Sequence, residues 1–291
     1  MRRSKRVLVA GATGYLGRHL LRAFSDAGYS VRALARSPDK LIGLEPWVDE
    51  VFVGEATDPS TLTGLCEGLD IVVSALGITR QSDGLTYDDV DYRANRHLLD
   101  AALEAGVGHF TYIHLLHAEA MVGIAMAEAK AKFAAELESE AIASTILCPS
   151  GFFSDLSEIL GMAQRGRVFL FGNGSAHLSP IHGADLARLC VRATRDKVKH
   201  LDVGGPQTFS QNEIAELAFE AIGKPVRVTH VPLWLARFGL LMARVTGQSA
   251  NLGALEFFLK ASTMDMSAPA HGAIGLVEDF ELQLSKQYEV S

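Results

Sequence analysis

Short apolar runs rich in β-branched residues alternate with longer stretches of helical spacing through the first half of the chain. The runs that predict strands are Arg6–Ala10, Ser30–Ala35, Glu50–Val53, Ile71–Ser74, Phe110–His114 and Ala143–Leu147. The stretches that predict helices are Tyr15–Ala27, Pro59–Cys66, Asp88–Ala105 and Met121–Glu140. Repeated strand–helix units predict an α/β fold with a doubly wound parallel sheet of Rossmann type, covered by helices on both faces.

The pattern becomes less regular in the second half of the chain. Two apolar runs around Asn173-Gly174 predict a hairpin of Val168–Phe171 with His177–Ile181. Helical spacing predicts Asp155–Arg165, Gly183–Thr194, a helix opening at the capping residue Ser210, Leu233–Val245, Leu252–Lys260 and Val277–Gln287. We therefore divide the chain into a sheet domain, residues 1–150, and a smaller C-terminal lobe, residues 151–291, which is interleaved with the sheet and not independent.

Composition and charge exclude several classes of function. The chain has 291 residues, 48% of them apolar, which suffices for a large core without disulfides or structural metals. Its net charge of −7 lacks the basic footprint of a nucleic-acid partner. No sequence window reaches the about 18 consecutive apolar residues of a transmembrane helix. Three widely spaced cysteines and six scattered histidines without ligand spacing predict no metal, and the cysteines predict a reducing, cytoplasmic location. The oligomeric state stays open.

Three glycines separate the first predicted strand from the first predicted helix. Gly11, Gly14 and Gly17 follow the spacing G-x-x-G-x-x-G. Glycines in this place permit a tight turn, close approach of backbone N–H groups to a pyrophosphate and close packing of helix on strand. The pattern predicts a dinucleotide site, with a purely structural turn as the alternative. The residues predicted to form it are Gly11, Thr13, Gly14, Tyr15, Leu16 and Gly17.

The end of the second predicted strand indicates which dinucleotide binds. NAD sites usually carry an acidic residue there, which holds the ribose hydroxyls. Here the strand ends in Ala35-Arg36-Ser37, and Lys40 follows. An arginine favours a 2′-phosphate, so we expect NADP(H) as the cofactor. The alternative is that Arg36 and Lys40 form a solvated basic edge.

Several segments resemble the atypical short-chain dehydrogenase/reductases. Those shared with the whole group are Gly11–Gly17, Val31–Arg36, Val73–Gly77 and Leu99–Val107. Those that narrow the resemblance to the NmrA-like and isoflavone-reductase-like branch are Ala129–Phe133, Pro149–Phe153 and Pro180–Ala187. Within that branch the chain most resembles the divinyl chlorophyllide 8-vinyl-reductase type, over roughly residues 6–230.

This resemblance implies further cofactor contacts. Ser74, Ala75 and Leu76 are expected to line the cofactor. Pro149–Phe153 is expected to flank the nicotinamide, with Pro149, Gly151 and Phe152 as the contacting residues. Glu55 stands where the family pattern has an aspartate that contacts the adenine.

The resemblance also shows which catalytic groups are missing. Ordinary members of the superfamily carry a serine and a Tyr-x-x-x-Lys motif, whose tyrosine protonates the product of carbonyl reduction. Aligning Lys130 with the family lysine puts Met126 in the tyrosine position. Lys130 lies in an apolar helical stripe with Met126, Phe133 and Leu137. It is expected to bond the nicotinamide ribose or to act as an acid, with snorkelling to solvent as the alternative. We expect Lys130→Met to leave folding intact.

Two histidines follow the fifth predicted strand. His114 and His117 lie where ligands of open α/β sheets bind, at the carboxyl ends of the strands. A histidine that titrates near neutrality could donate the proton that accompanies hydride addition. The alternative is that both are packing residues of the loop.

Together these features predict an NADPH-dependent reductase that transfers hydride to a conjugated C=C bond or a quinone-like hydrophobic small molecule. Phe152 and Phe153, with Leu233–Met242, are expected to wall the substrate or to belong to the core. The alternative function is a non-catalytic NADP(H)-binding regulator or assembly factor of the NmrA-like kind. A third interpretation makes Val231–Phe258 a surface for a protein or membrane partner.

Overall fold

The computed structural model describes residues 4–78, 84–245 and 252–290, and the chain forms two compact units. The first unit comprises Met1–Cys148 and Leu186–Leu201, and the second comprises Pro149–Asp185 and Asp202–Ser291. The chain therefore enters the second unit at Pro149, returns to the first at Leu186 and leaves it again after Leu201.

The strands and helices have the following bounds. The strands are β1 (Arg6–Ala10), β2 (Ser30–Ala35), β3 (Glu50–Val53), β4 (Ile71–Ser74), β5 (His109–Ile113), β6 (Ala143–Pro149), β7 (Val168–Phe171), β8 (His177–Leu178), β9 (His200–Val203), β10 (Phe209–Ser210) and β11 (Val228–Val231). The helices are α1 (Tyr15–Asp26), α2 (Ala94–Glu104), α3 (Ala125–Ser139), α4 (Phe153–Gln164), α5 (Gly183–Asp196), α6 (Gln211–Ala221), α7 (Leu233–Val245), α8 (Leu252–Ala261) and α9 (Leu276–Val290).

A sheet of seven strands among the described residues has the order β3-β2-β1-β4-β5-β6-β9. Neighbouring strands from β3 to β6 pair in parallel. Strands β2 and β3 extend the sheet on one side of β1, and strands β4, β5 and β6 extend it on the other side. The direction in which strands are added therefore reverses between β1 and β4. This confirms the predicted doubly wound sheet, whose ligand crevice lies at that reversal.

The central strands are buried because helices cover the sheet. Val7, Leu8 and Val9 of β1 have no exposed surface. Helix α1 buries Leu20 and Phe24, which recur at the spacing of one helical turn. A buried parallel sheet of this kind needs apolar residues on both faces of each strand, as the sequence of β1 provides.

Several helices begin or end elsewhere than predicted. The stretch predicted as one helix from Asp88 to Ala105 is a π-helical segment, Asp88–Arg93, followed by α2. The predicted helix at Pro59–Cys66 is only a short 3₁₀ turn, Pro59–Leu62, because Gly64 takes a positive φ of 78° and ends it. Helix α3 begins at Ala125 rather than Met121. Gly123 has a positive φ of 82°, and its N–H donates to the carboxylate of Glu128 at 2.8 Å.

The second unit has its own apolar core, made of residues from α4, β7, α6 and α9. The predicted hairpin of β7 with its following strand is wrong: β7 pairs in parallel with β11, and β8 pairs antiparallel with β10. The Asn173-Gly174 turn does form, but Asn212 holds it by donating to the carbonyl of Asn173 at 3.0 Å. The predicted capping box of α6 is confirmed, since Ser210 and Glu213 bond each other's backbone N–H.

Among the described residues no helix has the length and apolar character needed to cross a bilayer. Cys66, Cys148 and Cys190 are buried and carry thiols rather than disulfides.

Candidate functional site

The glycine turn between β1 and α1 has the close backbone packing of a dinucleotide site. Gly11 has a positive φ of 78°, and a Cβ there would lie 2.7 Å from the carbonyl oxygen of Ala75. A Cβ at Gly17 would lie 1.9 Å from the carbonyl oxygen of Gly11. Neither position can accept a side chain without a shift of backbone. The turn therefore lies directly beside Ala75, at the point where the strand order reverses.

The N-terminus of α1 directly follows this glycine turn. The sequence of its first turn, Tyr15-Leu16-Gly17-Arg18, contains no acidic residue that would cancel the positive end of the helix dipole. Thr13 and Tyr15 are half-buried, Gly14 is exposed and Leu16 turns into the core. The exposed glycine backbone and the helix end fit an anionic pyrophosphate.

The predicted phosphate and adenine residues lie together at the end of β2. The Nε of Arg36 is 3.6 Å from Oε2 of Glu55, and both side chains are partly exposed. Glu55 also accepts a hydrogen bond from the hydroxyl of Thr57 at 3.1 Å. Lys40 is exposed in a 3₁₀ turn, Pro38–Leu41, that follows β2. The carboxylate at this edge thus partners the arginine.

A buried hydrogen-bond network fixes the loop that follows β4. The hydroxyl of Ser74 donates to the Oδ1 of Asn95 and accepts from the backbone N–H of Leu76 at 3.3 Å. The amide of Asn95 donates to the carbonyl of Asp91 at 3.0 Å. Sequence reasoning did not select Asn95, which holds Ser74 in place.

Lys130 forms an ion pair at the end of this network. Its Nζ lies 3.1 Å from Oδ1 of Asp91, whose side chain is fully buried, while the lysine side chain is 12% exposed. The backbone N–H of Ile78 donates to the other oxygen of Asp91 at 3.3 Å. A Cβ at Gly77 would lie 2.9 Å from Nζ of Lys130, so this glycine lets the loop approach the pair. Lys130 therefore does not merely snorkel to solvent.

Burial and the partner charges set the charge state of this cluster. Burial raises the pKa of Asp91, and the charge of Lys130 opposes that shift. Burial disfavours the ammonium, but the negative charge of Asp91, 3.1 Å away, favours it, and the pKa of Lys130 lies above its usual value. Burial raises the pKa of Tyr112 to about 12, so its phenol keeps its proton. The ammonium lies 5.4 Å from the centre of the Tyr112 ring, and Lys130 stays a cation at neutral pH.

His114 lies beside the same cluster as a neutral ring. It is 5% exposed and stacks on Tyr112 with ring centres 5.7 Å apart. Within the described part of the chain neither ring nitrogen has a hydrogen-bond partner. Burial, aided by the charge of Lys130, lowers the pKa of His114 to about 3. The expectation that this histidine titrates near neutrality is wrong, because its ring is buried beside a cation.

His117 differs from His114 in its exposure and in its backbone conformation. It is exposed, and it takes a left-handed conformation, with φ 55°, at the start of a 3₁₀ turn, Ala118–Ala120. A role for His117 as proton donor stays a prediction.

His114 makes stability depend on pH. The folded protein keeps the ring neutral to about pH 3, whereas in the unfolded chain the ring takes up a proton near pH 6.5. Between those values the unfolded state binds more protons, so stability falls as the pH falls, by about 1.4 kcal/mol per pH unit for this one group. His114→Gln should remove that part of the slope between about pH 6 and pH 4 in urea denaturation. Parallel stability curves for parent and variant would contradict the assignment.

The remaining predicted cofactor residues begin the second unit. The amide of Ile181 donates to the carbonyl of Gly151 at 2.9 Å, and Phe152 donates its N–H to Asp155 at 3.2 Å. Burial raises the pKa of Asp155 to about 6. Phe152 is half-buried, whereas Phe153 is 1% exposed and belongs to the core of this unit, as the alternative interpretation held.

A dinucleotide-binding class is defined by these features together: a glycine turn and a helix N-terminus at the reversal point of a doubly wound parallel sheet. Residues 11–197 match the model of the NAD(P)H-binding family, so the chain belongs to that family. The resemblance to atypical short-chain dehydrogenase/reductases is thereby confirmed.

The chain is similar to named relatives of two kinds. A photosystem II assembly factor, Ycf39, from Synechocystis sp. is 30% identical over 285 residues, which are 93% of this chain and 86% of that protein. A chloroplastic divinyl chlorophyllide a 8-vinyl-reductase from Zea mays is 30% identical over 250 residues, 78% of this chain and 62% of that protein. The NADPH complex of the Escherichia coli quinone oxidoreductase QOR2 matches with a TM-score of 0.74 at 18% identity, over 96% of this chain and 99% of that one, which shows a shared fold.

Proposed function

We propose that this protein is an NADPH-dependent reductase that delivers hydride to a conjugated C=C bond or a quinone-like group of a hydrophobic small molecule. The observation that carries the proposal is the buried Lys130–Asp91 ion pair. It lies against Gly77, two residues after Ala75, which borders the glycine turn. A permanent cation held in an otherwise apolar helical stripe costs free energy, and a role in binding and catalysis accounts for its presence.

Different residues are proposed to hold each part of the cofactor. The turn from Gly11 to Gly17 holds the pyrophosphate, Arg36 with Lys40 holds the 2′-phosphate, and Glu55 lies near the adenine. Ser74, Ala75 and Leu76 line the middle, Lys130 bonds the nicotinamide ribose, and Pro149, Gly151 and Phe152 flank the nicotinamide. When bound, NADPH supplies a hydride.

The side chains then decide which acceptor can be reduced. Met126 is buried and cannot donate a proton, and Tyr112 is fully buried behind Lys130. A conjugated acceptor needs stabilisation of a delocalised negative charge, which the ammonium of Lys130 supplies through its field. Neutral His114 offers an N–H that can donate a hydrogen bond. His117, exposed at the same strand end, is the proposed proton donor.

The second unit is proposed as the substrate lobe, beginning near residue 150, with the return segment Leu186–Leu201 as a part of the cofactor domain. A cytoplasmic, reducing compartment is proposed because the three cysteines persist as buried thiols. A hydrophobic substrate agrees with the vinyl reductase named among the relatives.

A non-catalytic NADP(H)-binding assembly factor is the second candidate, since a relative aligned over most of the chain bears the name of an assembly factor. Mixing the protein with NADPH and a panel of quinones, enones and divinyl tetrapyrroles, and following the loss of reduced-nicotinamide absorbance, separates the two. We expect consumption with at least one acceptor. Binding of NADPH by calorimetry without consumption across the panel would favour the assembly factor.

Arg36 should set the choice between the two nicotinamide cofactors. A guanidinium can bond a phosphate through two parallel hydrogen bonds, so NADPH should bind more tightly than NADH. Arg36→Asp should remove about 2 kcal/mol of that preference, or about 30-fold in affinity ratio, by the worth of a charge-assisted bond. Calorimetry with both cofactors measures it, and Glu55→Gln, which removes the carboxylate partner of Arg36, should keep or strengthen the preference. Equal affinities in the unmodified protein would contradict the assignment.

A further inference from the structure

One segment of the second unit has a charge opposite to that of the whole chain. Between Glu220 and Glu256 the sequence contains no aspartate or glutamate but four cationic residues, in a chain of net charge −7. The cationic residues are Lys224, Arg227, Arg237 and Arg244. Helix α7 lies in the middle of this basic segment.

Five large apolar residues of α7 face solvent. Trp234 is 70% exposed, Leu235 45%, Phe238 55%, Leu241 56% and Met242 46%. At about 100° per residue, their positions i, i+1, i+4, i+7 and i+8 fall within an arc of about 120°. They form one continuous face, called here the α7 apolar face.

The rest of the helix shows that this orientation is not a general lack of packing. Leu233, Ala236 and Leu240, on the opposite side of α7, are half-buried, and α7 packs against α8. A surface helix normally turns its apolar stripe to the core, whereas α7 turns its larger stripe to water. A contiguous exposed patch of this kind marks a surface for binding.

The charges around the α7 apolar face select its partner. Arg237 is exposed at the flank of the face, and α7 has no acidic residue of its own. A second copy of the chain, docked face to face, would bring two Arg237 side chains together with no carboxylate on either helix to pair them. An anionic lipid surface complements both the cations and the apolar residues, and tryptophan suits its interfacial region.

We propose that α7 is an interfacial membrane-binding helix, which inserts Trp234, Phe238 and Leu241 among the lipids of an anionic bilayer. Helix α7 has 13 residues, fewer than the about 20 that a spanning helix needs, so it lies parallel to the surface. The sequence placed Leu233–Met242 at the substrate wall or in the core, whereas the exposure of Trp234, Phe238 and Leu241 favours a binding surface instead. The proposed cofactor residues are different ones, and the proposal does not depend on which reaction the protein performs.

Trp234 itself provides the readout. The chain has two tryptophans, and Trp47, in the first unit beside Arg22, can be replaced by phenylalanine to leave Trp234 as the sole indole. With vesicles of equal phosphatidylcholine and phosphatidylserine, the emission should shift to the blue, acrylamide quenching should fall, and the protein should sediment with the vesicles. Vesicles of phosphatidylcholine alone should bind much less protein, and added salt should release the protein from the anionic vesicles.

Variants test the face and its charge separately. Leu241→Glu should abolish sedimentation, and Arg237→Gln should weaken binding to the anionic vesicles about fivefold, by the worth of one charge near such a surface. Leu282→Glu, a helical residue of the same unit that is 48% exposed, should bind like the parent. All three should keep the parent's NADPH affinity and its urea-unfolding transition, which together show that both units fold.

Three results would overturn the proposal. The first is that the parent does not bind anionic vesicles. The second is that the parent binds both vesicle types equally and that Arg237→Gln does not change this binding. The third is that the parent binds no vesicles but forms a concentration-dependent dimer, which Leu241→Glu dissociates. The last result would assign the α7 apolar face to a second copy of the chain.

Discussion

Lys130→Met should lower the free energy of unfolding by about 3 kcal/mol or more, and adding Asp91→Asn should recover most of that loss. Removing one partner of a buried ion pair leaves an uncompensated charge, which typically costs about 3–5 kcal/mol, whereas replacing both partners costs much less. Asp91 has no exposed side-chain surface, and among the described residues it keeps only the N–H of Ile78 as a hydrogen-bond donor once the lysine is gone. This reverses the expectation from the sequence that the variant would fold as well as the parent.

Urea denaturation of the parent, both single variants and the double variant gives the coupling energy directly. Lys132→Met is the matched control, because Lys132 lies on the same helix but is exposed and should cost about 0.5–1 kcal/mol through its contact with the ring of Tyr92. A Lys130→Met variant as stable as the parent would show that Asp91 is neutralised without its partner.

Turnover should fall about 10²–10⁴-fold when the lysine is removed from a protein that still folds. The comparison is between Asp91→Asn, which keeps the ammonium, and Asp91→Asn/Lys130→Met, which lacks it. His117→Gln should slow turnover in the same range if His117 donates the proton. The measurement is kcat/KM for the acceptor found in the panel, with NADPH affinity determined in parallel.

The two variants differ in their expected binding. Lys130→Met should also weaken NADPH, because its ribose contact is lost, whereas His117→Gln should leave NADPH affinity unchanged. Equal turnover in the double variant and in Asp91→Asn would remove Lys130 from the reaction and leave it only the ion pair.

Local patterns were sufficient to predict the sheet. The bounds of β1, β2, β3 and β4 agree with the predicted runs, because each strand is a short run of strand-forming residues ended by a turn. Pairing in the second unit could not be read in the same way. The partner of β7 is β11, far along the chain, and no feature near Asn173-Gly174 distinguishes that pairing from a hairpin.

In the site, too, the sequence pattern can identify buried polar residues but not their partners. Lys130 is selected by the family resemblance, and its position in an apolar stripe supports that selection. The same signal was present at Asp91 and Asn95, which share one buried helical face with Leu98 and Ala102. Reading that stripe would have selected both polar residues. Their partners on α3 and β4 depend on the fold, as does the burial that keeps His114 neutral.

The return of the chain to its first unit has a consequence for the protein during its synthesis. Strand β6 ends at Pro149, and its outer neighbour β9 begins only at His200. The N–H of Ile146 therefore lacks this hydrogen-bond acceptor until Lys199, whose carbonyl accepts the bond, has been synthesised. At about 5–20 residues per second the ribosome needs about 3 to 10 seconds for the intervening residues. During that interval a nascent chain presents an open strand edge, and a product cut short near residue 150 would keep that edge permanently and aggregate by strand addition.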